Sequence, residues 1–188
     1  PADVYRRLAA DLRTGGTRVI VDLAGERLKA ALAGGVSLVK VSDEELLADG
    51  LIHENDTHHI VSAMKKMHAD GAETVVVTRN SEPLLMLSEG LVVSVHTPTM
   101  EVADTSGAGD SLTAGVAASL ARGSSVREAI ALGAAAGALN VTRHGLGTGD
   151  AQTIEKLRAL VTVREHENTA SVQTLSPSGL AAKARESR

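Results

Sequence analysis

Asp104-Thr105-Ser106-Gly107-Ala108-Gly109-Asp110 places two carboxylates and two glycines between a strand-like run and a helix-like run, and the fold is read outward from it. Upstream, Leu91, Val92, Val93, Ser94 and Val95 have the apolar density of a buried strand. Downstream, Leu112, Val116 and Leu120 repeat every four residues across 111–121, which predicts one apolar helix face. The glycines therefore stand at a helix N-terminus. There the first backbone N–H groups lack intrahelical partners and the macrodipole is positive, so a phosphate or a developing oxyanion is stabilised. Gly107 and Gly109 carry no side chain to hold an anion away from the backbone. Asp110 is a poor anion ligand but is well placed to take a proton from an attacking hydroxyl. A cradle beside a base points to phosphoryl transfer. The competing reading of the same residues is ordinary capping, with Asp104 or Ser106 as N-cap and no ligand.

The run 104–111, taken whole, resembles the signature of the ribokinase-like (PfkB) carbohydrate kinases, and the similarity extends from near Pro1 to about Leu160. The sugar-phosphate kinases of that family, the 1-phosphofructokinases and the second type of 6-phosphofructokinase, are the nearest in character. The resemblance implies a three-layer α/β/α, Rossmann-like fold with a mostly parallel sheet, of which this chain is the C-terminal portion. It implies an ATP-dependent kinase acting on a hydroxyl of a sugar or sugar phosphate, with Gly107, Ala108 and Gly109 as the anion hole and Asp110 as the catalytic base.

Two further segments carry readings of their own. Lys40, Val41, Ser42, Asp43, Glu44 and Glu45 put a lysine, a hydroxyl and carboxylates at a strand end leading into a helix, where parallel α/β sheets gather ligands. Ser42 with Glu45 is equally a capping box. The segment resembles the family's lysine-proline-asparagine stretch, departing from it at Val41 and Ser42. The resemblance makes Glu45 a magnesium residue acting through water, and makes Lys40 and Ser42 contacts to the nucleotide. At 78–83, Thr78 is similarly a nucleotide contact by resemblance, while Asn80 and Pro83 depart from the family's glycine-bearing turn.

Asn140 to Gly145, together with Asp104 and Ser106, resembles loops that surround an activating monovalent cation such as K⁺, mostly through backbone carbonyls. Asn140 and Arg143 would join Asp104 and Ser106 there. The alternative is a helix C-terminus with Arg143 and His144 favourable to the dipole and Gly145 beyond it.

Periodicity fills in the remainder. The segment 2–12 reads as a helix on Val4, Leu8 and Leu12, and 17–23 as a strand around Val19, Ile20 and Val21. The pattern continues with helix 25–33, strand 36–41, helices 43–48 and 58–69, and strands 74–78, 84–87 and 91–95. Alternation of this kind predicts an α/β sheet covered on its faces, with an antiparallel pair at one edge. After the central motif, helices are expected at 114–120, 125–140 and 151–161, the second opened by the capping box Ser125 and Glu128. Residues 1–163 are taken as the nucleotide-binding α/β portion and 164–188 as a weakly ordered polar tail.

Composition sets limits. The chain has 188 residues, 43% of them hydrophobic but only 1% aromatic, so the core must be aliphatic and stacking platforms for single-stranded nucleic acid are excluded. A formal charge of −4 argues against nucleic acid or an anionic membrane as partner. There is no cysteine, hence no disulfide or thiolate metal site. No apolar run reaches membrane-spanning length, and the expectation is a soluble cytoplasmic protein whose alanine-rich helices could pair in a homodimer. His53, His58, His59 and His68 cluster in sequence but show no zinc spacing. Neither a GxxxxGK[ST] nor a GxSxG pattern occurs.

Complete members of the family carry an N-terminal sugar-holding half before the region that matches Pro1. The expectation therefore has two branches: a phosphofructokinase-like kinase, or a truncated, catalytically inactive remnant that binds nucleotide or a partner.

Overall fold

The computed structural model describes residues 1–166. Its elements follow in the order α1 (Asp3–Thr14), β1 (Ile20–Asp22), α2 (Gly25–Gly34), β2 (Val36–Ser42), α3 (Asp43–Ala48), α4 (Thr57–Ala69), β3 (Ala72–Arg79), β4 (Glu82–Ser88), β5 (Leu91–His96), α5 (Ala108–Ala121), α6 (Val126–Asn140), α7 (Ala151–Arg158) and β6 (Thr162–Glu165). The strands form one sheet in sequence order, β1-β2-β3-β4-β5-β6. The β1–β2 and β2–β3 pairings are parallel, and β3–β4, β4–β5 and β5–β6 are antiparallel. The antiparallel part is thus wider than one edge pair.

The last strand is the element that periodicity did not predict. Helix was expected through Val161, but α7 stops at Arg158 and Thr162–Glu165 pairs with β5. Four residues alternating polar and apolar carry too little signal to distinguish a strand from a tail. The boundary drawn after Val163 falls inside β6, and residues 167–188 of the expected tail lie outside the described residues.

Strand alternation divides the core into two layers. Val39 and Val41 of β2, Val75 and Val77 of β3, and Leu85 and Leu87 of β4 face α1 to α4. Leu38, Val76, Leu84 and Met86 face the opposite way, onto Leu112, Val116 and Leu120 of α5 and Ile130 of α6. Burial on both faces explains the continuous apolar runs of β2 and β3.

Helices α5 and α6 are joined by a seam of small residues. A Cβ added at Gly115 would lie 2.9 Å from Gly133 Cα, and one added at Gly133 would lie 2.6 Å from Leu112 O. Ala129, Ala134 and Ala135 are buried in the same layer. Much of the alanine face of α6 is thus occupied within the chain, while Ala114 and Ala118 of α5 remain exposed.

Candidate active site

The parallel strands end together. Asp22 is the last residue of β1, Ser42 the last of β2, and Thr78 lies opposite Ser42 on β3, so all three stand at the carboxyl edge of the parallel part. Loop 104–107 and the start of α5 belong to the same neighbourhood, because Lys40, two residues before the end of β2, reaches beneath Gly109: an added Cβ there would lie 2.8 Å from Lys40 Nζ.

The start of α5 resolves the capping alternative. The N-cap is Gly107, in the left-handed region at φ 73°, and it supplies no side-chain cap. Asp104 does not cap; its Oδ1 accepts from the Ser106 N–H at 2.9 Å. That N–H, and then the Ser106 hydroxyl, hold the Asp104 carboxyl below its ordinary value. The Ala108 N–H turns back to Thr105 O at 3.3 Å, and the next amides, of Gly109 and Asp110, receive no side-chain cap and are left to water or to a ligand. Asp110 is in the first turn and exposed, beside those amides. Leu146 closes over the turn: a Cβ added at Gly107 would run into its Cδ2.

Beneath this turn sits a buried charge. Lys40 is only 7% exposed, and its Nζ donates to both Asp22 carboxylate oxygens, at 3.0 and 3.1 Å. The Thr113 hydroxyl bonds Gly109 O at 3.0 Å and stands 3.3 Å from Asp22 Oδ2. Asp22 thus ties β1, β2 and α5 together. A buried lysine with one carboxylate partner keeps positive potential close to the glycine turn.

On its other side Asp22 opens into a cleft of about 500 Å³, lined also by Glu45, Asp49, Glu26 and Arg27. Glu45 serves the capping box: Ser42 N–H and Oγ donate to its Oε2 at 2.7 and 3.1 Å, and Ser42 Oγ accepts from Glu45 N–H at 3.1 Å. Both readings of Ser42 and Glu45 are compatible, because the bonds name Oε2 and leave Oε1 for water. Asp22 and Glu45 are two of the four carboxylates of this open cleft, with Glu26 and Asp49, and such an oxygen-rich lining suits a hydrated magnesium ion, which takes few protein ligands and keeps its waters. Thr78 Oγ1 bonds Val41 O at 3.4 Å, and Arg79 lies 3.9 Å from Glu82.

The loops assigned to a monovalent cation are brought into contact. Asn140, 2% exposed, donates from Nδ2 to Ser106 O at 2.7 Å and accepts from Ser111 Oγ at 3.1 Å. Val141 O accepts from the N–H groups of Ala103 and Asp104 at 2.7 and 3.2 Å. Ser106 O accepts one of these bonds and retains a second lone pair, the donor a cation would use, whereas Val141 O already accepts two. The Arg143 side chain turns away, to Thr148 O at 2.7 Å and Asp150 at 3.5 Å.

Sequence reasoning missed Asp22 and Thr113. Asp22 had a signal, being an acidic residue that ends an apolar strand; Thr113 lies mid-helix and had none. Elsewhere, Glu54, Asp56 and His59 have ligand-type atoms within 4.8 Å of one another, but Asp56 is engaged by the His59 N–H and Nδ1 as the cap of α4.

Comparison with known proteins places this geometry. The model of the pfkB family carbohydrate kinases matches residues 1–154. A 1-phosphofructokinase of Haemophilus influenzae is 28% identical over 162 residues, covering 84% of this chain and 52% of that protein. The structure of phosphofructokinase-2 from Escherichia coli in complex with potassium superposes with a TM-score of 0.75 at 29% identity, over 85% of this chain and 52% of that one. Ribokinase of Arabidopsis thaliana, complexed with ribose and ATP, gives a TM-score of 0.73 at 26% identity over 84% and 53%. The chain spans about half the length of the curated relatives it matches. Its fold is that of the ribokinase-like kinases, in a partial form. With the matched region running through every strand from β1 to β5 and through the glycine turn, the chain belongs to the pfkB family of carbohydrate kinases.

Proposed function

We propose that this chain is the phosphate-handling portion of a carbohydrate kinase that transfers the γ-phosphoryl group of ATP to a hydroxyl of a sugar or sugar phosphate, in the manner of a phosphofructokinase. The observation that carries the reading is the start of α5: a left-handed glycine with no side-chain cap, a buried lysine under the next glycine, and an exposed carboxylate one residue further on. Amides at a helix N-terminus stabilise charge on the equatorial oxygens of a phosphoryl group in transfer, and a low-dielectric Lys40 adds to that field. Asp110 takes the proton of the attacking hydroxyl. Lys40, Ser42 and Thr78 would border the nucleotide phosphates, and Asp22 with Glu45 would hold magnesium through water, the ion supplying charge neutralisation. A monovalent cation between the Asp104–Ser106 and Asn140–Arg143 loops is supported by their direct contact and by the potassium in the Escherichia coli structure.

A second reading, a non-catalytic nucleotide-binding unit, is favoured by one observation: the chain covers about half of its relatives. In-line positioning of the acceptor is most of what phosphoryl transfer requires, and half a fold has fewer walls to provide it. Calorimetry with Mg-ATP and a coupled assay with fructose 6-phosphate and fructose 1-phosphate separate the two. We expect weak Mg-ATP binding that Lys40→Ala diminishes, and no sugar phosphorylation by the 188 residues alone. Absence of nucleotide binding by the folded chain would overturn both readings. A kinase rate abolished by Asp110→Asn would eliminate the non-catalytic one.

A further inference from the structure

Helix α5 brings no side-chain cap of its own to the glycine turn, and Gly107 and Gly109 make the backbone there permissive. An open turn of this kind keeps one shape only where other elements hold it. The holding element is the end of α6. A Cβ added at Gly137 would lie 3.0 Å from Ala108 O, a close approach that a side chain would obstruct. Val141 O, just beyond the helix, accepts the N–H groups of Ala103 and Asp104. Between these two contacts the carboxamide of Asn140 reaches in both directions: its Nδ2 donates to Ser106 O at 2.7 Å, and its Oδ1 accepts from Ser111 Oγ at 3.1 Å. Ser106 and Ser111 flank residues 107–110 on either side, so one side chain grips both ends of the cradle. Asn140 is buried, and water does not compete for these bonds.

We propose that Asn140 is a positioning residue, whose carboxamide holds residues 107–110 in the open, phosphate-accepting form by tying Ser106 and Ser111 to the end of α6. The inference rests on the kinase reading for what the cradle accepts, and on the hydrogen bonds alone for the clamp. Asn140 acts through the Ser106 carbonyl and the Ser111 hydroxyl. A carboxamide suits the task because it is donor and acceptor at once and, unlike a carboxylate, sets no negative charge beside a phosphate. Its amide takes one lone pair of Ser106 O whether or not a cation takes the other, so the clamp works in either case. Since the cradle receives the transferred group, what the clamp contributes belongs to the γ-phosphate, and a nucleoside diphosphate is nearly indifferent to it. Leucine copies the branching of asparagine without its donor or acceptor, so Asn140→Leu removes both bonds together.

The clamp is read first without nucleotide, by amide hydrogen exchange of the 188-residue chain followed by NMR. Asn140→Leu should speed exchange of the bonded amides of Ser106, Ala108 and Ser111 by at least about tenfold, with those of Ile60 in α4 and Ala129 in α6 unchanged. Calorimetry then reads the function. Affinity for Mg-ATP should fall by at least about fivefold, the size expected of one or two buried hydrogen bonds, while affinity for Mg-ADP changes less than about twofold. A side chain that merely supported the fold would weaken both nucleotides alike. Ser111→Ala removes one of the two bonds and leaves the amide in place, so it should give the same pattern more weakly, and it decides the matter if Asn140→Leu does not fold. Unchanged exchange across 106–111 in the folded variant overturns the clamp. So does a loss that ATP and ADP share, or no loss of ATP affinity at all. A loss that disappears when potassium chloride replaces tetramethylammonium chloride overturns it too, by placing Asn140 in the cation site. If the parent chain binds no nucleotide the kinase reading falls, and the exchange result alone still decides whether Asn140 holds the turn.

Discussion

Two consecutive helices of this chain begin in opposite ways. Helix α6 starts at Ser125, whose Oγ accepts from the Glu128 N–H while Glu128 Oε2 accepts from the Ser125 N–H at 2.9 Å: the chain satisfies its own orphan donors. Helix α5 starts at a left-handed glycine with no side chain to offer, above a buried ammonium. Both pack against the same core layer, so stability does not explain the difference. A cap contributes on the order of 1 kcal/mol, and α5 forgoes it where an anion would complete the turn instead. Helix α3 shows the intermediate case, a complete capping box whose glutamate still faces the cleft beside Asp22.

The contrast can be tested at several strengths. In a polypeptide that transfers phosphate, Asp110→Asn should lower kcat by about 10²–10⁴-fold with Mg-ATP affinity little changed, because the base acts on the acceptor proton and the amides hold the nucleotide. Turnover within a few-fold of the parent would remove Asp110 from the chemistry. Gly107→Val forces a β-branched residue to φ 73° and into Leu146, so Mg-ATP binding measured by calorimetry should weaken by roughly tenfold or more. Unchanged affinity in the folded variant would make the glycine only a turn residue.

Gly133→Val leaves the site alone and overpacks the seam between α5 and α6. A loss of about 1–3 kcal/mol is expected, lowering Tm by roughly 3–10 °C in a thermal melt. Because this seam positions the start of α5, nucleotide affinity should fall less than with Gly107→Val; a larger fall would mean that the cradle depends on helix packing more than on its own backbone.

The smallest effect belongs to the closed end. Ser125→Ala should cost about 1 kcal/mol without altering nucleotide binding. The Ser125 hydroxyl, and then its N–H, hold the Glu128 carboxyl below its ordinary 4.5. A depressed folded value contributes stability above the unfolded pKa and loses it as pH falls through the folded value. Melts of Glu128→Gln should therefore differ from the parent above about pH 4.5 and converge with it in acid, modestly, since the group is exposed. A difference that widens in acid would contradict the cap's electrostatic role.

Much of this was written locally in the sequence. The alternation of strands and helices, the capping boxes at Ser42 and Ser125, and the glycine turn before Asp110 follow from spacing and residue chemistry over a few neighbours, and each stands where those rules put it. What spacing could not convey is which distant groups meet. Lys40 and Asp22 are 18 positions apart and Asp22 and Thr113 are 91, and their meeting depends on β1 pairing parallel to β2 with α5 laid across the same face. Likewise the four-residue repeat of α1 specified a helix but not its outward-facing side, which was set by Gly34 admitting only Ala9 at the contact. Local patterns fix dihedral preferences and a helix's apolar side, whereas the choice among faces and the convergence of polar groups are decided by which surfaces pack closely enough to exclude water.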